Sequence, residues 1–243
     1  MLADIAPMNL AGELADGVSA RLVLETIGAD EIGVLNFSRI ASDLGGDKAA
    51  ETAVSRAVQI LVDSKRIVVV DLPAGSRNAR LRHYRIADPY LRFWFRFIEP
   101  HLRTIEVGRP DLAISAYRSS WSSWRGRAIE PIVREAVLLL APRLRPPFDA
   151  IESVGGWWDR KGVHEFDLVG SGHGGEPLVL GSIKWRERAK FDVHDLAQLA
   201  EARAVIPGAA GAELIALASH GAVAGLGADL VLDAPALLEA WKQ

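Results

Sequence analysis

Cysteine is absent from the 243-residue chain, which excludes disulfides and thiolate metal sites. Long apolar runs are absent too: the longest, Ala136–Pro142, is far shorter than the roughly 18 residues that a membrane-spanning helix needs. The first residues lack the basic stretch and apolar segment of a secretory signal. From these absences we expect a cytoplasmic protein without a membrane partner.

Two common kinds of ligand site are also missing from the sequence. There is no Walker A loop, G-x-x-x-x-G-K-[ST], and the glycine-rich stretch Gly170–Glu176 lacks the Lys-Ser/Thr ending. That stretch lies between two strand candidates, so we predict a hairpin turn, no ATP site and no ATPase activity. The six histidines show neither H-x-x-x-H nor H-x-H spacing, so we expect no zinc site.

The net charge of −3 is unevenly distributed along the chain. Residues 1–47 carry two basic and eight acidic residues, net −6; residues 48–103 carry eleven and five, net +6; residues 104–243 carry fifteen and eighteen, net −3. A basic block in an acidic chain indicates an anionic partner, and nucleic acid, DNA above all, is the leading candidate. The alternative is a solvated face rich in arginine, and charge alone leaves both interpretations open.

The first hundred residues show the pattern of a winged helix-turn-helix domain. Helical periodicity and capping residues predict helices over Ser19–Ala29, Asn36–Gly45 and Asp47–Arg66. Two β-rich stretches, Arg66–Pro73 and Arg80–Ala87, follow as a hairpin. In this arrangement the third helix reads DNA and the hairpin is the wing. The predicted DNA-contacting residues are Lys48, Arg56, Arg77, Arg80 and Arg82. Protein docking is the alternative role of such a module.

An aromatic helix is predicted next, over Asp88–Pro100, with Asp88 and Pro89 as its N-cap and first residue. Aromatic stripes at helical spacing usually belong to a core, so we favour packing over base stacking. Residues 103–121 are predicted to form further helix, and a strongly apolar helix over Trp124–Leu144 follows.

From the apolar helix onward, the predicted order of elements is α-β-β-β-α-β. The predicted strands are Ile151–Arg160, Gly162–Gly170, Glu176–Glu187 and Ala212–Gly221, with a helix over Val193–Ile206. We therefore predict an α+β and α/β protein with two domains: residues 1–103, a winged helix with an aromatic connector helix, and residues 104–243, an α-β-β-β-α-β domain.

Charged and polar residues mark the ends of the second and third of these strands. Glu165 and Asp167 are two residues apart, as are Ser182 and Lys184, so each pair shares one face of its strand. With Glu130 on the preceding helix, this is the layout of a PD-(D/E)xK nuclease site, so we expect residues 104–243 to form a PD-(D/E)xK restriction-endonuclease-like domain. In such a site an Asp and a Glu bind a divalent metal, and the lysine steadies the attacking water or the developing phosphorane charge.

Five segments carry a family resemblance: RHYRIADPYLRFWFRFIEP (Arg82–Pro100), GRAIEPIVRE (Gly126–Glu135), WWDR (Trp157–Arg160), HEFDLVG (His164–Gly170) and GSIKW (Gly181–Trp185). Through them the chain resembles the C-terminal region of archaeal-type P-loop ATPases, AAA/STAND-like proteins that also occur in bacteria. There a winged helix precedes a domain of unknown function with PD-(D/E)xK nuclease-like topology. The resemblance covers nearly the whole chain from about residue 19, but the ATPase module is missing.

The resemblance implies roles for four residues. Glu130 matches the family's helix glutamate, Glu165 and Asp167 its E-x-D strand, and Lys184 its terminal lysine, so these four are the catalytic candidates. Asp167 and Glu165 are the candidate ligands of Mg²⁺. Ser182 departs from the family's G-E-x-K-W pattern, because a neutral hydroxyl stands where a charged ligand is expected.

Three hypotheses follow. The first is a DNA-binding protein of nuclease ancestry with little or no cleavage activity, in which Asp167 and Lys184 remain as an ion pair. The second is an active Mg²⁺-dependent DNA endonuclease with rearranged carboxylates. The third is an interaction module whose aromatic helix and acidic N-terminal stretch dock a separate ATPase or a second copy of the chain.

Overall fold

The computed structural model describes residues 18–242, so much of the acidic N-terminal stretch in the docking hypothesis lies outside the described residues. The contacts within the chain define two compact units. One contains the residues up to Asp71 together with Arg82–Trp124, and the other contains Leu72–Leu81 together with the residues from Arg125 onward. Each unit contains helices and strands, which confirms an α+β protein. The domain boundary at residue 103 stays a prediction.

The first unit combines helices with a small antiparallel sheet. Its sheet has the strand order β1-β3-β2. Its elements up to the sheet's last strand are α1 (Val18–Ala29), β1 (Val34–Asn36), α2 (Phe37–Asp43), α3 (Lys48–Gln59), β2 (Val68–Asp71) and β3 (His83–Ile86). The three predicted helices and the hairpin are therefore present. Strand β1 was not predicted from the sequence.

Local sequence explains where these helices begin. The Asn36 side chain accepts a hydrogen bond from the Arg39 N–H, and the Asp47 side chain accepts one from the Ala50 N–H, so each residue caps a helix. Helix α3 continues as a π-helical turn, Ile60–Ser64, before the chain enters β2.

The aromatic segment is part of the core of the first unit, as its pattern predicts. It forms α4 (Pro89–Phe93), a π-helical turn over Trp94–Ile98 and, after a short 3₁₀ turn, α5 (Leu102–Glu106). Trp94, Phe95 and Phe97 are almost fully buried. Further rings pack on this segment, since Trp124 lies 5.4 Å from Phe97 between ring centroids. Because these rings are buried, they are not available to stack on nucleic-acid bases.

The second unit is built on a five-stranded sheet in the order β4-β5-β6-β7-β8. Strands β4 to β6 are antiparallel neighbours, and β6, β7 and β8 are parallel. Its elements are α6 (Asp111–Leu140), of which the part from Arg125 belongs here, β4 (Ser153–Trp158), β5 (Glu165–Ser171), β6 (Pro177–Lys184), α7 (Val193–Val205), β7 (Glu213–Ala218), β8 (Leu230–Leu232) and α8 (Ala234–Leu238). The predicted α-β-β-β-α-β order is confirmed.

Alternate residues of this sheet enter two different cores. Leu168, Val179 and Ile215 belong to one hydrophobic cluster together with residues of α6 such as Val133. Their neighbours Val169, Leu180 and Leu214 belong to a second cluster, with Leu199 and Ala202 of α7. The sheet of the second unit is therefore covered by helices on both faces, which explains why its central strands are almost continuously apolar.

The segment Leu72–Leu81, which joins β2 to β3, belongs to the second unit. The Ala74 N–H donates to the Gly156 carbonyl at 2.8 Å, and the Trp158 indole N–H donates to the Leu81 carbonyl at 3.0 Å. The predicted strand over Arg80–Ala87 is too long, because residues 79–81 form a 3₁₀ turn and β3 begins at His83.

Candidate functional site

Glu130 lies at the centre of a charged cluster in the second unit and is 9% exposed. Its Oε2 accepts a hydrogen bond from Arg134 at 2.8 Å, and its Oε1 accepts one from Arg127 at 3.2 Å. Both arginines are on the same helix, three residues before and four residues after Glu130, which places all three side chains on one face. Burial, followed by the charge of Asp167, raises the pKa of Glu130 to about 7 against the opposing effect of the two arginines.

Arg127 joins this helix to strand β5. The nitrogen Nη1 that contacts Glu130 also donates to Glu165 Oε1 at 2.7 Å. Burial lowers the pKa of Arg127, but the carboxylates of Glu130, Glu165 and Asp167 outweigh burial and raise it. The guanidinium is therefore a permanent positive charge shared by carboxylates of two elements.

Asp167 lies where strands β5 and β6 separate. Their ladder of paired residues ends at Leu168 and Gly181. Just beyond it, Asp167 Oδ2 accepts hydrogen bonds from the Ile183 N–H at 2.7 Å and from the Ser182 hydroxyl at 3.1 Å. The carboxylate thus takes the place of a strand–strand hydrogen bond, and Ser182 serves as a donor to it.

Arg134 fixes the backbone at the same point. Its Nε donates to the carbonyl of Asp167 at 2.7 Å while its Nη2 contacts Glu130. A Cβ at Gly156 of β4 would lie 2.8 Å from Arg134 Nη2, so only glycine leaves room for the guanidinium there. The β4–β5 register shifts at this glycine, between Gly155 and Trp157.

Lys184 ends strand β6 and does not pair with Asp167. It forms no ion pair with any carboxylate in residues 18–242, and Asp167 Oδ2 accepts its hydrogen bonds from Ser182 and Ile183 instead. The prediction of an Asp167–Lys184 ion pair, made for a non-catalytic site, is therefore wrong. Two residues further on, Arg186 is neutralised by two hydrogen bonds to the buried carboxylate of Asp195, at 2.7 and 2.6 Å.

The residues of this cluster do not fit a divalent metal as they stand. Oxygens of Glu130 and Glu165 are bound to arginine, one oxygen of Asp167 accepts two hydrogen bonds, and Ser182 offers a neutral hydroxyl. A hard dication prefers several charged oxygens that are free to bind it. Within residues 18–242, no group of three or more histidine, aspartate or glutamate side chains is arranged to hold a metal.

The predicted DNA-contacting residues are all exposed, but they fall in both units. Lys48, Arg56 and Arg82 belong to the first unit, whereas Arg77 and Arg80 lie on the segment Leu72–Leu81 of the second. None of the five forms an ion pair with a carboxylate that the structure describes.

Sequence reasoning identified Glu130, Glu165 and Asp167 but missed Arg127 and Arg134. The stretch GRAIEPIVRE contained the signal. Arg127 is three residues before Glu130 and Arg134 is four residues after it, and arginines at these helical spacings can pair with a glutamate. The burial of Glu130 could not be predicted from the sequence. Because a buried carboxylate needs compensating positive charge, this burial makes the two arginines necessary for the charged form of Glu130.

Comparison with known proteins finds similarity in this region. A model of archaeal and bacterial proteins of unknown function, DUF234, matches residues 94–196. The uncharacterized protein MJECL04 of Methanocaldococcus jannaschii is 28% identical over 118 residues, which are 49% of this chain and 26% of the archaeal protein. This chain therefore matches about a quarter of that relative's length. No solved structure shows a significant match. The chain is similar to the DUF234 family over a stretch that contains the entire carboxylate–arginine cluster.

Proposed function

We propose that this protein binds nucleic acid, with DNA as its expected ligand, and that its nuclease-like site does not cleave DNA with a divalent metal. The observation that carries the proposal is a set of exposed basic side chains that form no ion pair with the carboxylates that the structure describes. Residues 48–103 have a net charge of +6, and Lys48, Arg56 and Arg82 are exposed there without an ion pair to any described carboxylate. Such side chains are available to phosphates.

The order of elements in the first unit supports a winged helix. Three helices precede a two-stranded hairpin, and a short strand after the first helix pairs with that hairpin. In a winged helix, α3 would be the recognition helix. A groove of about 320 Å³ lies beside it, lined by Ser55 and Gln59 of α3 and by Arg82 and Tyr84 of the hairpin. Asp63 also lines the groove, and the other polar side chains there offer hydrogen-bond donors of the kind that contact phosphates and base edges.

The second unit supports nuclease ancestry without cleavage. Glu130 on a helix, Asp167 on the second strand and Lys184 at the end of the third follow the layout of a PD-(D/E)xK site. Ser182 and the two arginines distinguish this cluster from a metal site, because they satisfy the carboxylates internally. The ancestral catalytic layout would then serve as a scaffold.

DNA binding should weaken strongly in the triple variant Lys48→Ala/Arg56→Ala/Arg82→Ala. If each residue contacts one phosphate, the slope of log affinity against log salt should decrease by about 3, and affinity at low salt should fall by about tenfold or more. Fluorescence anisotropy with labelled double-stranded DNA, single-stranded DNA and RNA measures both quantities. The variant Arg109→Ala/Arg118→Ala/Lys242→Ala removes the same charge elsewhere and should bind as the wild type does. Equal loss in both variants, or no binding by the wild type at low salt, would contradict the proposal.

Supercoiled plasmid should stay intact when it is incubated with the protein and Mg²⁺ or Mn²⁺. The physical reason is that the carboxylates have arginine and backbone partners in place of a metal. Agarose gels resolve nicked and linear products. Nicking that is lost in Asp167→Ala and in Lys184→Ala would instead establish the alternative, an active endonuclease with rearranged carboxylates.

A further inference from the structure

A cavity of about 520 Å³ lies in the second unit, where the segment Leu72–Leu81 meets the sheet. Its lining includes Trp157 and Trp158 of β4, Ser171 of β5 and Ile206, which follows α7. The volume is within the range of sites that hold small molecules. None of the described residues that line it belongs to the carboxylate–arginine cluster. The cavity is therefore a site separate from that cluster.

The wall of the cavity offers a fixed aromatic surface. Trp157 is partly buried and packs on Phe166, with 5.9 Å between the ring centroids. Its indole also packs against the hydrophobic cluster that contains Leu199 of α7. Pro73 and Pro177 add rigid apolar groups to the lining. Because the Trp157 ring is held in place but remains partly exposed, a flat ring can enter and stack on it.

The cavity also contains a polar group that has no partner among the described residues. Ser171 is 4% exposed and lines the cavity, yet its hydroxyl makes no hydrogen bond to any residue in the range 18–242. Buried hydroxyls normally have such a partner, so this one is available to a ligand. A hydroxyl can donate and accept, and both are needed to contact the edge of a base.

Basic side chains lie at the cavity and beside it. Arg160 lines it, and Arg77 and Arg80 lie on the chain between Ser76 and Leu81, which also line it. All three arginines are exposed, and none forms an ion pair with a carboxylate that the structure describes. Exposed guanidinium groups of this kind are suited to phosphates, to which they can make two hydrogen bonds at once.

The carboxylate in the lining is committed to a turn of the chain. Asp159 Oδ1 accepts hydrogen bonds from the backbone N–H groups of Lys161 and Val163, at 2.8 and 3.1 Å. Its Oδ2 accepts one from the His164 N–H at 3.1 Å and lies 2.9 Å from the ring nitrogen Nδ1 of the same histidine. The unpaired charges at the cavity are therefore those of the arginines, and they favour an anionic ligand.

We infer that this cavity takes an unpaired nucleotide of a nucleic acid strand: the base stacks on Trp157 and contacts the Ser171 hydroxyl, and phosphates lie against Arg160, Arg77 and Arg80. Proteins that bind single strands combine these two elements, aromatic side chains for the bases and positive charge for the backbone. The inference rests on the proposed function and extends it, because it gives the second unit a contact with single-stranded ends that duplex binding alone does not require.

The test compares three labelled DNA probes by fluorescence anisotropy. They are a blunt duplex, the same duplex with a short single-stranded extension, and that extended duplex with abasic sites in the extension, which keep the phosphates but lack the bases. Wild type should bind the base-containing extension about fivefold or more tightly than the abasic one, which is the contribution expected of one stacked base. Trp157→Leu should remove this difference, and Trp157→Phe, which keeps an aromatic ring, should retain most of it.

The phosphate contact has a separate readout. Arg160→Ala should weaken binding of both extended probes relative to the blunt duplex and reduce their slope of log affinity against log salt by about 1. The matched control is Arg188→Ala, because Arg188 is an exposed arginine of the second unit that does not line the cavity. This control should leave the ratios between the three affinities unchanged.

The outcomes separate the nucleotide site from the proposed function. Equal affinity of the wild type for the base-containing and abasic extensions, or a difference that persists in folded Trp157→Leu, would overturn the site and leave duplex binding intact. Binding of the base-containing extension without binding of the blunt duplex would support the site and contradict duplex binding. Binding of no probe at low salt would overturn both. If Trp157→Leu does not fold, Arg160→Ala decides, and unchanged ratios in that variant would overturn the site.

Discussion

Replacing Arg134 by methionine should lower the free energy of unfolding by about 3–5 kcal/mol at a pH above the pKa of Glu130. Methionine fills much of the same volume but cannot donate a hydrogen bond. The substitution leaves the buried Glu130 carboxylate with Arg127 as its remaining cation and leaves the Asp167 carbonyl without its donor. An uncompensated charge and an unsatisfied carbonyl in the same buried place account for the size of the loss.

Chemical denaturation of wild type and variant measures this difference. The matched control is Arg109→Met, because Arg109 also makes two hydrogen bonds to a carboxylate, that of Asp111, but both side chains are about 60% exposed. Solvent screens such a pair, so the control should lose little stability. A similar small loss in Arg134→Met would show that the cluster contributes little to folding.

The stability of the protein should decrease as the pH rises from about 4.5 to above 7, by an amount that Glu130→Gln removes. Burial, followed by the charges of Asp167 and Glu165, raises the pKa of Glu130 from 4.5 to about 7, while Arg134 and Arg127 act to lower it. Because the folded state binds the proton more tightly than the unfolded state, the contribution is complete below pH 4.5 and is lost as the pH rises through about 7. At about 1.4 kcal/mol per pKa unit, the expected change is about 3 kcal/mol.

This prediction is measured as the difference in unfolding free energy between wild type and Glu130→Gln across that pH range. Other titrating groups cancel in the difference, since the two proteins share them. Glu135→Gln, on the same helix but exposed, is the control and should give a nearly constant difference. A difference that is flat or grows in favour of the wild type with rising pH would show that the two arginines dominate and keep Glu130 ionised.

The regular elements of the fold were largely predictable from sequence, and the exceptions have physical causes. Strand β1 covers Val34–Asn36 only, and its pairing with β3 is a tertiary contact that three residues cannot signal. Helix α6 was predicted as two helices, yet it runs unbroken over 30 residues and includes Pro131. Proline removes one backbone donor from a helix, and here the rings and aliphatic side chains packed on both parts outweigh that cost.

The candidate site was predictable in its acidic residues and not in its partners. The spacing of Glu165 and Asp167 and the position of Lys184 followed from strand periodicity. That Asp167 would bond to the Ile183 N–H instead of Lys184 depends on where β5 and β6 separate. Such a point is set by packing of the whole sheet, which local sequence does not encode.

The short segment Leu72–Leu81 has a consequence for how this polypeptide can be divided. Because it belongs to the second unit while the residues on both sides of it belong to the first, the chain crosses between units three times. A fragment that ends after Trp124 would carry Ala74 and Leu81 without Gly156 and Trp158, their hydrogen-bond partners. The two units are therefore interleaved along the chain, and an uninterrupted piece that holds all of one unit also carries part of the other.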